Sequence, residues 1–223
     1  MKIKSFGCSF IFGNDLPDDG RDGPYATVSN LTWPALIAQR IGAEYKCYAR
    51  GGIGNLTIAE RVLKMHSDNK LLDPDDVCII SWTWIDRFDY IIEDQGPHSF
   101  RSIMPVDTSD VANYYYRHLH SEHRDKLVSL MYIYSSIQAL QSRGIKFVMT
   151  YMDELLFDQK WNTTPAIATL QALIKPHMTK FEGKTFLDWS REKGFPISET
   201  LHPLEHAHAQ GAELMLPAVQ RLV

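Results

Sequence analysis

Three cysteines in 223 residues are too few for a disulfide framework. Cys8, Cys47 and Cys78 each stand in an apolar or strand-like context and read as reduced, buried thiols. A basic excess is missing too: 27 acids oppose 23 bases, for a net charge of −4. General nucleic-acid binders usually carry a basic surplus, so no nucleic-acid partner is expected. No apolar run reaches the about 20 residues that span a bilayer, and no membrane partner is expected. The N-terminus, Met1-Lys2-Ile3-Lys4-Ser5-Phe6, has no long apolar stretch before a small-residue cleavage site. The expected location is therefore the cytoplasm, with a virus particle as the other candidate. Gly51-Gly52-Ile53-Gly54 has neither the dinucleotide fingerprint nor the Gly-Lys-Ser/Thr phosphate loop. A phosphate- or nucleotide-binding domain is thus disfavoured, and no cofactor is expected. Repeats, low-complexity tracts and linkers are absent, so residues 1–223 read as a single domain. What remains is an ordinary globular balance of 44% hydrophobic and 22% charged residues.

The elements alternate. Lys2 to Phe6 reads as a strand meeting a turn at Gly7, and Asn14 to Gly23 as an acidic loop rich in turn formers. Thr32 can cap a helix running to Ile41. Glu44 to Ala49 reads as the second strand, and Asn55 as the cap of a helix carrying Ile58, Val62 and Met65. Val77 to Trp82 is a continuous apolar run, which fits a parallel strand covered on both faces. Residues 86–108, with Gly96-Pro97, show no period and read as irregular. Residues 109–143 read as helical with a break near Ser121, Ile145 to Tyr151 as a strand, and Ala166 to Lys175 as a helix. Thr185-Phe186-Leu187 reads as the fifth strand. The last helix is expected over residues 205–223, with Pro203 in its first turn. Such an order predicts an α/β fold with a parallel sheet of about five strands between helical layers. Ligands in such sheets sit beyond the carboxyl ends of the strands, which brings together the loops at 7–15, 50–55, 81–87 and 188–202.

Two of those loops carry a hydrolytic set. Ser9 follows the first strand between Gly7 and Gly13, where its hydroxyl can be exposed and its N–H can point into the site. Glu199 stands three residues before His202, close enough to orient the imidazole and leave its other nitrogen free as a base. Nucleophile, base and orienting acid would then meet at one edge of the sheet. Cys8 is the competing nucleophile, but adjacent side chains at a turn diverge, so only one of the two can face His202. His118, His120 and His123, with Glu122, resemble a metal cluster; lacking a Cys pair, they read as a solvated helical face, and no metal site is expected. Tyr114-Tyr115-Tyr116 and the pair Trp82 and Trp84 can either line a sugar-binding surface or pack the core. Arg87 can either hold a substrate carboxylate or pair with Asp86 or Asp89. The acidic loop after Ser9, placed at the mouth, would disfavour anionic substrates.

At these residues the chain resembles the SGNH hydrolases, also called the GDSL-type esterase/lipase superfamily. Gly7-Cys8-Ser9-Phe10 with Gly13 is similar to the family's first block, Gly-Asp-Ser-Leu. Cys47-Tyr48-Ala49-Arg50-Gly51-Gly52 is similar to the second, and Glu199-Thr200-Leu201-His202-Pro203 to the fifth, usually Asp-x-x-His-Pro. A subgroup of phage and bacterial proteins pairs Phe-Gly-Cys-Ser-Phe with Trp-Thr and a downstream arginine, as here. The resemblance implies the flavodoxin-like three-layer α/β/α sandwich of the SGNH hydrolase fold. It also implies a serine esterase or deacylase acting on a small-molecule or glycan ester, such as an O-acetyl group on a carbohydrate. Its catalytic residues would be Ser9, His202 and Glu199, and its oxyanion donors the N–H groups of Ser9 and Gly52. The family's third block reads Gly-x-Asn-Asp and supplies a further donor from its Asn. This chain reads Ser81-Trp82-Thr83-Trp84 there, which leaves Thr83 as the substitute donor. Trp82, Trp84, Arg87 and Asn55 are the expected substrate-binding residues. The missing Asn also motivates the alternative: an SGNH-fold binding or structural protein with weak or no catalysis.

Overall fold

The fold is built around β3 (Val77–Trp82), in which all six residues are buried. It pairs in parallel with β1 (Lys2–Phe6) on one side and β6 (Lys146–Tyr151) on the other. β2 (Glu44–Cys47) adds to the far side of β1, giving the order β2-β1-β3-β6. The computed structural model describes residues 1–20, 26–67, 72–92 and 100–223.

The period of two along β3 explains its unbroken apolar run. Val77 and Ile79 join Ile3 and Val148 on one face, under α2 (Trp33–Arg40) and α8 (Glu205–Gln220). Cys78, Ile80 and Trp82 face the other way, against α3 (Asn55–Ser67) and α5 (Glu122–Ser142). Each such side chain contributes about 1.5–3 kcal/mol on burial. α6 (Pro165–Ile174) packs beside α5. The result is the α/β/α sandwich expected from the alternation. β1 to β2 crosses on one face and β2 to β3 on the other, so the winding reverses between β1 and β3. A crevice opens at such a point.

Polar groups settle the opposite edge. Lys4 Nζ lies 2.5 Å from Asp76 Oδ2, and both residues are buried. Burial alone would raise the Asp76 carboxyl, but Lys4 and the N–H groups of Lys2 and Asp73 hold it below the usual range.

Several elements depart from expectation. The sheet has four strands, because Thr185-Phe186-Leu187 is not one of them: Thr185 caps α7 (Phe186–Glu192), its hydroxyl accepting from the Asp188 N–H. The open edge of β6 is met by a single parallel bridge, Met149 to Met178. The segment read as irregular contains an antiparallel pair, β4 (Phe88–Ile91) and β5 (Phe100–Ile103). Gly96-Pro97 and the end of the acidic loop, 21–23, lie outside the described residues. The helical stretch breaks as expected. α4 (Asp110–His118) ends, and Ser121 caps α5 by accepting from the Arg124 N–H. Pro203 precedes α8 rather than opening it; Leu204 is the cap, and Pro203 bridges back to Ile197.

Candidate active site

β1 delivers the chain into α1 (Ser9–Phe12), a single turn that starts immediately beyond the sheet edge. The passage is tight. A Cβ on Gly7 would stand 2.7 Å from Ile11 Cγ1, and one on Gly13 would stand 2.4 Å from Ser29 Cβ. Gly13 ends the turn at φ 90, its N–H donating to Ser9 O at 2.8 Å. Asn14 donates to the same carbonyl at 3.1 Å. Asp15 follows at φ 70, a conformation uncommon outside glycine, and its N–H is held by Asp19 Oδ2 at 2.8 Å.

Ser9 and His202 meet here although 193 residues separate them: His202 Nε2 is 2.8 Å from Ser9 Oγ. The imidazole packs beside the Phe10 ring, with centroids 5.1 Å apart. Its turn is closed by the Ser198 N–H donating to His202 O and the Leu201 N–H donating to Ser198 O. Leu201 takes φ 67 and is half exposed, so a strained residue stands directly before the base.

The carboxylate at His202 Nδ1 is Asp15, at 2.5 Å, in place of the expected Glu199. Glu199 is exposed on the turn, while the hydroxyls of Ser198 and Thr200 on either side of it reach Asp15. Both of those hydroxyls donate to Asp15 Oδ2, and Thr200 Oγ1 also lies 2.9 Å from Nδ1. Partial burial alone would raise the Asp15 carboxyl. The Thr200, Ser198 and His202 hydrogen bonds outweigh it and lower the pKa to about 2. Asp15 is thus an ionised acceptor across the working pH range. In the sequence it sits among the turn-forming acids after Ser9; its six-residue distance from Ser9 was the available signal.

A cleft of about 750 Å³ opens over Ser9. Ser9, His202, Asn14 and Gly52 form its polar floor, and Phe10, Trp84, Met104, Val106, Leu187 and Leu201 its apolar walls. Asp86, Arg87, Pro105, Arg191 and Thr200 complete the lining. Burial and the neighbouring Asp153 push the Asp86 carboxyl above its usual range. Gly52, at φ 78, lies in the cleft, and the Ser9 N–H belongs to the first turn of a helix, which leaves such donors without helical partners.

Besides Glu199, three expected site residues are placed elsewhere. Thr83 is buried and does not line the cleft; its N–H donates to Asn55 Oδ1 at 2.9 Å, and its carbonyl accepts from Asn55 Nδ2 at 3.2 Å. Asn55 is therefore an internal clamp, completed by Ser129 Oγ at 3.1 Å; it does not line the cleft over Ser9 and does not cap α3. The cap comes from Asp89, whose carboxylate accepts the Gly54 and Thr57 N–H groups at 2.9 and 2.8 Å. Trp82 is fully buried, with its indole N–H on Met149 Sδ, because β3 side chains at that register face the helical layer. Trp84 and Arg87 do reach the cleft, the guanidinium 4.9 Å above the indole and Nη1 donating to Ile53 O at 3.0 Å. No ion pair joins Arg87 to Asp86 or Asp89 among the described residues.

The other highlighted side chains pack or pair. Cys8 is buried against Met152, Cys78 is buried with its thiol pushed up to about 12, and Cys47 is half-buried. His120 Nε2 is 3.0 Å from Asp125 Oδ2. Tyr115 stacks on Phe88 and meets Tyr116 edge to face, Tyr116 donates to Asp86 O, and Tyr114 is exposed. His208 is buried in α8, where Nδ1 accepts the Trp33 N–H at 3.1 Å.

No protein-family model matches this sequence, and no curated protein sequence matches it. Solved structures do match its fold. A lipolytic protein of the G-D-S-L family from Veillonella parvula superposes with a TM-score of 0.56 at 13% identity, covering 99% of each chain. The psychrotrophic esterase EstA from Pseudoalteromonas, solved with monoethylphosphonate as inhibitor, gives 0.55 at 9% identity over 99% of this chain and 97% of its own. A carbohydrate esterase whose active site is described as having catalytic and non-catalytic binding functions gives 0.52 at 16% identity, covering 99% of this chain and 68% of its own. The fold is that of the SGNH hydrolases.

Proposed function

We propose that this chain is a serine esterase in a single domain covering residues 1–223. One observation carries the reading: an unbroken relay from Asp15 Oδ2 to His202 Nδ1 at 2.5 Å, and from Nε2 to Ser9 Oγ at 2.8 Å, at the floor of an open cleft. Ser9 Oγ attacks the ester carbonyl as Nε2 takes its proton. Asp15 keeps the Nδ1 proton facing itself and stabilises the imidazolium. The Ser9 and Gly52 N–H groups receive the charge that develops on the carbonyl oxygen. The imidazolium then protonates the departing alcohol, leaving an acyl-enzyme. Water, deprotonated by His202, attacks that acyl group and restores Ser9. The relay is made wholly of this chain's own side chains.

The cleft is large enough for a small-molecule or glycan ester. Its apolar walls suit the acyl or ring face, while Asp86, Arg87 and Arg191 offer hydrogen bonds to hydroxyls. An O-acetyl group on a carbohydrate is the narrower substrate we favour testing, and the carbohydrate esterase among the fold neighbours supports including it. A non-catalytic binding role is the second reading, favoured by the withdrawal of Thr83 from the cleft. Turnover of p-nitrophenyl acetate and butyrate and of acetylated xylan decides between them. The esterase reading expects hydrolysis that falls by about 10⁴-fold or more in Ser9→Ala and His202→Ala. Turnover unchanged in Ser9→Ala would overturn it; carbohydrate binding by parent and Ser9→Ala without any turnover would establish the second reading.

A further inference from the structure

A tetrahedral oxyanion is best held by several donors aimed at one point, and the main chain here supplies two. We infer that the Asn14 side-chain amide is the third: a catalytic residue that donates to the oxyanion from the nucleophile's own loop. The inference rests on the esterase reading and extends it.

Asn14 lines the cleft with Ser9, Gly52 and His202. Its backbone is pinned by the N–H bond to Ser9 O at 3.1 Å, so the side chain leaves from a fixed point one turn beyond the nucleophile. The amide lies against the turn that presents the second main-chain donor: a Cβ on Gly51 would stand 3.1 Å from Nδ2 and 3.4 Å from Oδ1. Because both terminal atoms lie beside that turn, either orientation of the amide keeps its NH₂ there. Gly51 has no side chain, which is what leaves room for the amide.

The alternatives are engaged or buried away from the cleft. Asn55 spends its amide on Thr83 and Ser129, and Thr83 is sealed beneath the cleft. The Thr200 hydroxyl donates to Asp15, and the Arg87 guanidinium rests on the Trp84 indole. The Asn14 side chain makes no hydrogen bond to any described residue. A half-buried carboxamide with two free donors, beside Ser9 and Gly52, is poised for a charge that exists only during reaction. Residues 9–15 then carry nucleophile, main-chain donor, side-chain donor and orienting carboxylate on one loop.

The test compares Asn14→Ala and Asn14→Asp with the parent on an oxoester and its thionoester analogue, whose sulfur is a poorer hydrogen-bond acceptor. Thermal melting confirms that each variant folds. The expected result is a kcat lower by about 10²–10³-fold on the oxoester, with KM little changed and a deeper loss in Asn14→Asp. The preference for oxoester over thionoester should also shrink in both variants, a readout that a purely structural role would not move. Full activity in folded Asn14→Ala, or an unchanged oxo/thiono ratio, overturns the inference and leaves the esterase reading standing. A parent inert toward both esters overturns both.

Discussion

The loops after β1 and β3 leave the same sheet edge from adjacent strands, yet they dispose of their polar groups in opposite ways. After β1, Ser9, Asn14 and Asp15 turn toward the cleft and its histidine. At the end of β3, Trp82 and the following Thr83 turn into the core, and Asn55 bonds both backbone groups of Thr83. Only Trp84, Asp86 and Arg87 come forward again, as walls and rim. The difference separates two jobs. One loop sets reactive groups along the cleft, with backbone strain at Asp15; the other gives up chemistry to become a support. A residue's position after a strand therefore does not decide its role; the partner that satisfies its backbone does.

The comparison breaks first at the acid. Asp15→Asn should lower kcat by on the order of 10²–10⁴-fold, because the amide no longer stabilises the imidazolium or selects its tautomer. Glu199→Gln, on the same turn as His202, should stay within about twofold, as exposed substitutions usually do. Steady-state kinetics on one ester checks both.

A smaller effect tests the β3 loop as support. Asn55→Ala strips the partners from the Thr83 N–H and carbonyl and should cost about 2–4 kcal/mol in urea unfolding. Activity should fall with the folded fraction, recovering at low temperature or with stabilising cosolvent.

Acid sensitivity belongs to His208. Burial, followed by the nearby His202, depresses its imidazole to about 3, so it stays neutral in the fold while the unfolded chain takes up a proton at the ordinary imidazole pKa. The unfolded state thus binds more protons between the two values, and stability must fall as pH drops below the unfolded pKa. The slope approaches about 1.4 kcal/mol per pH unit and ends near the folded value. His208→Asn, which keeps an acceptor for the Trp33 N–H, should flatten this slope in melts recorded from pH 7 to 5. An unchanged slope would move the sensitivity to another group.

Thr83→Val is the gentlest probe. The Thr83 hydroxyl is buried without a hydrogen-bond partner among the described residues, so a methyl in its place should stabilise by about 1 kcal/mol and leave kcat unchanged. A large loss of kcat would return Thr83 to the oxyanion site.

Much of this architecture is legible in the chain. The apolar run from Val77 to Trp82 has the length and composition that fit a strand covered on both faces, and glycines at 42 and 144 stop the helices before the next strands. Ser9 and His202 are legible as well, because each stands at the end of a strand or the start of a helix that the alternation places on one edge. Asp15 is not. Its role depends on a contact across 187 residues and on a left-handed backbone that an acidic, turn-rich stretch does not announce. Glu199 has the better spacing, but the turn that carries it brings the Ser198 and Thr200 hydroxyls to Asp15 and leaves Glu199 in solvent. The three residues from Thr185 are too few for periodicity to separate a short strand from a capped helix. Asn55 reads as a cap because caps are local; the carboxylate of Asp89, 32 residues from the Thr57 N–H, displaces it from that task.

The most direct test of the account is covalent labelling with a fluorophosphonate, read by peptide mass spectrometry, on the parent, Ser9→Ala, Asp15→Asn and Glu199→Gln. The account predicts a single adduct on Ser9 in the parent and in Glu199→Gln at equal rates, a strongly slowed adduct in Asp15→Asn, and none in Ser9→Ala. Equal labelling of Asp15→Asn and the parent, with slowing in Glu199→Gln instead, would contradict it.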